Sequence, residues 1–254
     1  MFLGLRRSII AQVILPDPLD ALSFLLRLQT HNGDGVPVGL YTDTGCTTPA
    51  TASGDAIAAW RDESKPDGLL ITQSNASQRP TLHYVGGKPV VRFDGVDDCM
   101  SFDQPSGVVN VAGYIAMALN VSTLGSNFNA GIAWSSGIGG VRAVGFGSFD
   151  TAGSWGLYTT FGPEHIDAGP IAANTRYVLD ATWLGRGATN SVGRDGSFTS
   201  GAFTSLFDTD FTTPAYVGID AGSYFTGDVT ALLVGTSTFS DADRLLVNRA
   251  LAVL

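Results

Sequence analysis

Tyr177-Val178-Leu179-Asp180-Ala181-Thr182-Trp183 places Tyr177, Leu179, Ala181 and Trp183 on one side of an extended chain, because successive side chains of a strand point to opposite faces. That face is expected to line a core. A second stretch, Tyr114-Ile115-Ala116-Met117-Ala118-Leu119 within 113–121, is apolar at every position but for the tyrosine hydroxyl, which predicts a strand buried on both faces. Further short strands are predicted at 88–93, 131–134, 141–146, 155–161, 215–219 and 228–234, each bounded by glycine, proline or asparagine. Many short strands at this spacing fit a β-sandwich.

The composition agrees. Thirty-two glycines and 11 prolines in 254 residues, without a collagen-like period, supply the turns that many strands need. Hydrophobic residues make up 44% and charged residues 15%, so the chain buries a core and is not disordered. The net charge of -9 and pI near 4.5, with no basic stripe, argue against a nucleic-acid partner. All but two of the acidic residues are aspartates, several of them beside glycines, where they close turns on backbone N–H groups. No run approaches the roughly 20 apolar residues of a membrane span, so a soluble protein with no membrane partner is expected. Cys46 and Cys99 are read as two reduced thiols, with a single disulfide as the alternative. The opening Met1–Leu15 is not read as a secretion signal, because its apolar stretch holds Gln12 and runs into Pro16-Asp17-Pro18.

Residues 1–30 stand apart as a Leu- and Ile-rich, nearly glycine-free arm or docking segment, with a helix expected over Leu19–Leu28. The arm either docks onto a partner or packs on its own domain as an edge strand plus helix. Residues 31–254 form the sandwich domain. Near its end Ser240-Asp241-Ala242-Asp243 is a helix N-cap signature, and Leu246, Ala250 and Val253 then recur on one side.

Several motifs together resemble the concanavalin A-like, laminin G-type jelly rolls of bacteriophage structural proteins and bacterial surface proteins. They begin with Tyr41-Thr42-Asp43-Thr44-Gly45-Cys46-Thr47-Thr48-Pro49, then Gly54-Asp55-Ala56-Ile57 and Trp60-Arg61-Asp62-Glu63-Ser64. Gln73 through Arg79-Pro80-Thr81-Leu82 follows, and Phe93-Asp94-Gly95-Val96-Asp97-Asp98 is the most specific match. Phe225–Val234 and the 240–251 helix resemble the closing strand and helix. The likeness covers about 40–254, with 101–211 matching in strand rhythm alone. Lys65-Pro66-Asp67-Gly68 departs from it, lengthening the turn after Ser64. The resemblance implies an all-β, concanavalin A-like jelly-roll sandwich with an N-terminal arm and a short C-terminal helix. It further implies a non-enzymatic virion component, in a capsid decoration, tail or fibre position, assembled in the bacterial host cytoplasm. Its expected partners are other virion proteins, copies of itself and a host-surface glycan.

Asp94 and Gly95 are expected to turn the chain and Asp97 and Asp98 to bond backbone amides of the same loop; calcium held by the three carboxylates is the rival use, since hard cations want clustered oxygens. Trp60 and Asp62 read as a core ring and a turn carboxylate. Trp134, Tyr158, Phe161 and Tyr224 flank glycine-rich loops and are the glycan-stacking candidates, core packing being their other reading. No catalytic residue is assigned. The two glutamates, Glu63 and Glu164, lie a hundred residues apart and cannot form the same-face carboxylate pair of a retaining glycosidase. There is no Gly-x-Ser-x-Gly elbow, and His31, His83 and His165 lack metal-site spacing. Gly137-Ile138-Gly139-Gly140 lacks the features of a dinucleotide or phosphate loop and reads as a hairpin. No cofactor beyond calcium is expected. A free or cell-surface carbohydrate-binding lectin is the alternative, and an aspartate-based glycoside hydrolase the less favoured one.

Overall fold

The structure is a computed structural model that describes residues 17–31, 35–65, 68–102, 112–124, 130–135, 142–148, 153–158, 164–184, 188–203, 214–220 and 222–254. Two antiparallel sheets stack face to face. The first contains β1 (Phe24–Gln29), β5 (Thr81–Val85), β6 (Lys88–Asp94), β8 (Gly113–Val121), β13 (Arg176–Trp183), β14 (Thr189–Arg194), β15 (Ser197–Ala202) and β19 (Thr226–Gly235). Its order is β15-β14-β13-β8-β19-β6-β5, with β1 also paired to β19. The second contains β2 (Leu40–Tyr41), β3 (Ala59–Arg61), β4 (Leu70–Thr72), β7 (Met100–Phe102), β9 (Ala130–Ser135), β10 (Arg142–Ser148), β11 (Ser154–Tyr158), β12 (His165–Pro170) and β16 (Ala215–Val217). Its order is β12-β11-β10-β9-β16-β7-β4-β3-β2. A two-stranded ribbon, β17 (Ile219–Asp220) and β18 (Ser223–Tyr224), follows β16.

The sandwich expected from the sequence is the one found. Leu179, Ala181 and Trp183 sit in the core between the sheets, with Tyr177 packed at its margin. On β8, Ile115, Met117 and Leu119 enter that core, while Tyr114, Ala116 and Ala118 enter a second cluster on the sheet's other side. That cluster is closed by helix α1 (Asp241–Ala252), through Val247 and Leu251, and by Leu19 and Phe239. Each large apolar side chain so buried contributes about 1.5–3 kcal/mol. The first sheet is thus covered on both faces. On the second sheet, outward residues of β2, β4, β7 and β16 are partly exposed, and that difference positions the site.

Two local expectations are corrected. Residues 19–28 do not form a helix: a 3-10 turn over Pro18–Ala21 leads into β1, which pairs with β19 from Phe24↔Gly235 to Gln29↔Ala231. Helix propensity is a weak prior, and here burial overrides it, Leu26 and Leu28 facing the main core and Phe24 the helix side. Arg27 is neutralised by Asp17 and Asp20. Of the 1–30 segment, residues 1–16 lie outside the described residues. The C-terminal helix exists with its capping box between Ser240 and Asp243, but it buries Arg244, Val247, Asn248 and Leu251. Val253, expected on the buried side, is 69% exposed. The inward stripe contains two polar residues because the sheet beneath offers them a carboxylate, Asp180.

Both cysteines are free thiols, Cys99 buried and Cys46 partly so. No helix among the described residues is long and apolar enough to cross a membrane.

Candidate functional site

Strand register fixes which residues share the outer face of the second sheet. Tyr41 lies opposite Ala59, Ala59 opposite Thr72, Thr72 opposite Ser101, and Ser101 opposite Tyr216. Their chain neighbours Leu40, Trp60, Ile71, Met100 and Val217 are all in the core, so this row points away from it, although Ala59 itself is fully covered. Five strands bring together residues 175 positions apart in sequence. With strands about 4.8 Å apart, the row spans about 19 Å, the scale of a short oligosaccharide. Two tyrosine rings stand at its ends, hydroxyls of Thr72 and Ser101 lie between them, and Tyr41, Thr72, Ser101 and Tyr216 are all partly exposed.

The Tyr41 end is tied down. Its hydroxyl donates to Glu63 Oε1 at 2.6 Å, Arg61 Nη2 donates to Tyr41 Oη at 2.8 Å, and the guanidinium lies 5.0 Å from the ring centroid. Burial and then the hydrogen bond to Glu63 push the Tyr41 phenol up to about 12, so it stays protonated and is no nucleophile at neutral pH.

Beside the row, the Phe93–Asp98 turn carries the acidic residues singled out by sequence. Gly95 has φ +79°, and a Cβ there would fall 1.8 Å from Thr226 Oγ1, so only glycine fits. Asp94 Oδ1 accepts from the N–H groups of Val96 and Asp97, and Asp98 Oδ2 accepts from that of Asp94. The bracing expected of Asp97 and Asp98 is found at Asp98, and the second brace is the Asp94 carboxylate, to which Asp97 contributes its backbone N–H. The three carboxylates also bring ligand oxygens within 4.8 Å of one another. Desolvation and the repulsion of Asp94 and Asp97 raise Asp98 to about 6, against one opposing backbone hydrogen bond. A carboxyl raised in the folded state favours folding while protonated, so its contribution is present below pH 4 and is lost as pH rises to 6. Unfolding free energy should therefore fall by about 1–2 kcal/mol over that window. An Asp98→Asn variant should lose this slope in denaturant titrations across pH 4–7; an unchanged slope assigns it elsewhere.

The four aromatic candidates separate. Tyr224 is partly exposed on β18, and burial, then the neighbouring Cys99 and Asp97, raise its phenol above the ordinary value. It stands next to the acidic turn. Tyr158 is only 2% exposed, and its ring covers Gly145 so closely that a Cβ there would meet it at 2.3 Å. It is a packing residue, because its strand partner is a glycine with room beneath the ring. The register places Trp134 opposite Ala215, and its side chain lies outside the described residues, as does Phe161 altogether. Tyr216 and Tyr41 were not singled out by sequence. The apolar-polar alternation of Ala215-Tyr216-Val217 was the available signal.

No described feature assembles a hydrolase centre. Glu63 is paired with Arg61 and Tyr41, and the acidic turn uses its carboxylates on its own backbone. Two hollows of about 230 and 110 Å³ are lined by a single carboxylate each, Asp195 and Asp228. Trp60 is fully buried, and Asp62, also buried, accepts from Arg27 N, Ser64 N and Ser64 Oγ, as a core ring and a turn carboxylate should.

No protein-family model matches the sequence, and no curated protein does. Solved structures do match in shape. Trypanosoma rangeli sialidase in complex with the inhibitor DANA superposes with a TM-score of 0.56 at 16% identity, covering 83% of this chain and 35% of that one. The chain thus spans about a third of the sialidase's length. Domain 4 of a GH43 extracellular arabinanase from Geobacillus stearothermophilus, in complex with arabinotriose, superposes with a TM-score of 0.56 at 10% identity, covering 90% of this chain and 98% of that one. At these identities the likeness establishes the β-sandwich fold.

Proposed function

We propose that this chain is a non-catalytic carbohydrate-binding module that holds a glycan along the outer face of its second sheet. The observation that carries the proposal is the outward set Tyr41, Thr72, Ser101 and Tyr216, all partly exposed, where two aromatic rings flank two hydroxyls and the buried Ala59 lies between Tyr41 and Thr72. Sugar rings stack on aromatic faces and their hydroxyls take hydrogen bonds from such side chains. The arabinanase domain, matched over nearly its whole length and solved with arabinotriose, supports the same reading. Of the sequence candidates, Tyr224, partly exposed beside the acidic turn, is proposed for the rim of the site.

Calcium is the ion proposed for the Asp94, Asp97 and Asp98 oxygens, which suit a hard cation. In millimolar calcium the pH-dependent loss of stability described above should flatten, because the cation relieves the repulsion among them. The setting implied by the motif resemblance is a bacteriophage particle, in which this module would meet host-surface glycan and dock through residues 1–30 onto copies of itself and other virion proteins. The structural comparisons support the sugar-binding module and carry nothing on that setting.

The test is Tyr216→Ala. Partly exposed and outside the core, the ring should be removable with no more than about 1 kcal/mol lost in stability. Affinity for the bound glycan, measured by calorimetric titration, should fall about tenfold, equivalent to ~1.4 kcal/mol. Unchanged affinity would place the sugar elsewhere.

A further inference from the structure

We propose that this face selects uncharged glycans and discriminates against acidic ones, an inference that rests on the glycan-binding reading above. A uronate or sialic acid carboxylate is recognised by a cation that the protein does not already hold with its own acceptors, arginine above all because its planar fork meets two oxygens at once. The described cations around the Tyr41 end of the row are already engaged. Arg61 gives Nε and Nη2 to Glu63, at 3.0 and 2.8 Å, and Nη2 also to Tyr41 Oη. Arg79 spreads over three backbone carbonyls, Nε to Gln73 at 2.9 Å, Nη1 to Thr42 at 3.4 Å and Nη2 to Ser74 at 3.3 Å. Lys65 Nζ donates to the carbonyl of Phe24 at 2.5 Å.

The Tyr216 end is biased the same way. Asp98 precedes Ser101 by three residues, which puts the acidic turn about 10 Å along the chain from the row, near one Debye length at moderate salt. With no calcium on them, the Asp94–Asp98 carboxylates therefore repel an anion lying over Tyr216, on a chain whose net charge is already -9, so the titration is run in chelator. An uncharged sugar meets no such penalty. It needs the rings of Tyr41 and Tyr216 and the hydroxyls of Thr72 and Ser101, and those are what the row presents.

The experiment is a calorimetric titration of the full chain, at about 0.05 M salt where screening is weak. The neutral probes are arabinotriose, xylotriose, cellotriose and maltotriose, and the acidic ones trigalacturonate and sialyllactose. Binding of at least one neutral probe, with every acidic probe about tenfold weaker or worse, is the expected result. An acidic probe bound as tightly as the best neutral one overturns the selectivity while leaving glycan binding intact. Binding of none overturns both. A second variant, Glu63→Gln, removes the carboxylate that occupies Arg61 and should raise the acidic-to-neutral affinity ratio on the order of threefold, a gain that high salt abolishes. A ratio unmoved by Glu63→Gln shows that Arg61's engagement is not what excludes acids.

Discussion

Asp180→Ala should cost about 3–5 kcal/mol, because it strands a guanidinium in an apolar layer. Asp180 sits mid-strand on β13 with no exposed surface, and Arg244 from α1 is 1% exposed. Arg244 Nε donates to Asp180 Oδ2 at 2.5 Å and Nη1 to Ser191 Oγ at 2.8 Å, while the guanidinium lies 3.8 Å from the Phe198 ring centroid. Asn248 Nδ2 adds a bond to Asp180 Oδ1 at 3.3 Å. Without the carboxylate this positive charge keeps only Asp241, an exposed carboxylate 3.4 Å from Nη1, as a counter-ion. Replacing both charges, Asp180→Ala with Arg244→Met, should recover most of the loss, since a buried ion pair adds little over well-packed apolar residues. Urea unfolding of the single and double variants measures both. A single-variant loss below about 1 kcal/mol, the range of an exposed pair, means that the helix does not dock on the sheet through this pair.

Trp60→Ala should cost a similar ~3–5 kcal/mol, the range for emptying a buried aromatic site. Trp60 belongs to β3 of the second sheet, and its Nε1 donates to the carbonyl of Gln29, on β1 of the first, at 3.3 Å. Two residues on, Asp62 accepts from Arg27 N at 2.9 Å, again reaching β1. One short motif therefore clamps the sheets together at this edge. The contrast with Tyr216→Ala, expected to cost no more than about 1 kcal/mol, separates a ring that holds the sandwich from a ring that holds a ligand. Equilibrium denaturation should show a lower midpoint for Trp60→Ala with an unchanged slope; a loss under about 1 kcal/mol contradicts its place in the core.

Strands whose side chains carry hydrophobic periodicity were readable in the sequence. β13 and β8 follow from alternation and from a continuous apolar run, and the last helix from its capping box. What escaped was structure made by polar residues. β14 and β15 are rich in serine, threonine and glycine, yet Asp195 and Gly196 between them, at φ 49° and 83°, form the positive-φ turn that closes a tight hairpin. The inward face of α1 was misread because Arg244 and Asn248 are polar, and only the fold reveals the carboxylate that admits them. The N-terminal strand was mistaken for a helix because a Leu-rich run suits either until its partner, β19, is known.

The acidic turn was legible as a motif, and the alternatives of bracing and calcium both came from its residue types. The outward row was not legible. Tyr41, Thr72, Ser101 and Tyr216 come from four strands, and their neighbourhood is a product of strand order in the second sheet. Tyr224 meets Asp97 for the same reason, across 127 positions of sequence. For Tyr158 the sequence leaves stacking and core packing open, and its strand pairing with Gly145 decides for packing.

The most direct measurement is a crystal structure of the chain soaked with the tightest-binding neutral oligosaccharide. Sugar density running across Tyr216, Ser101 and Thr72 toward Tyr41, with the saccharide uncleaved, is the expected result. A cleaved product, or a sugar seated away from this face, contradicts glycan binding by the second sheet.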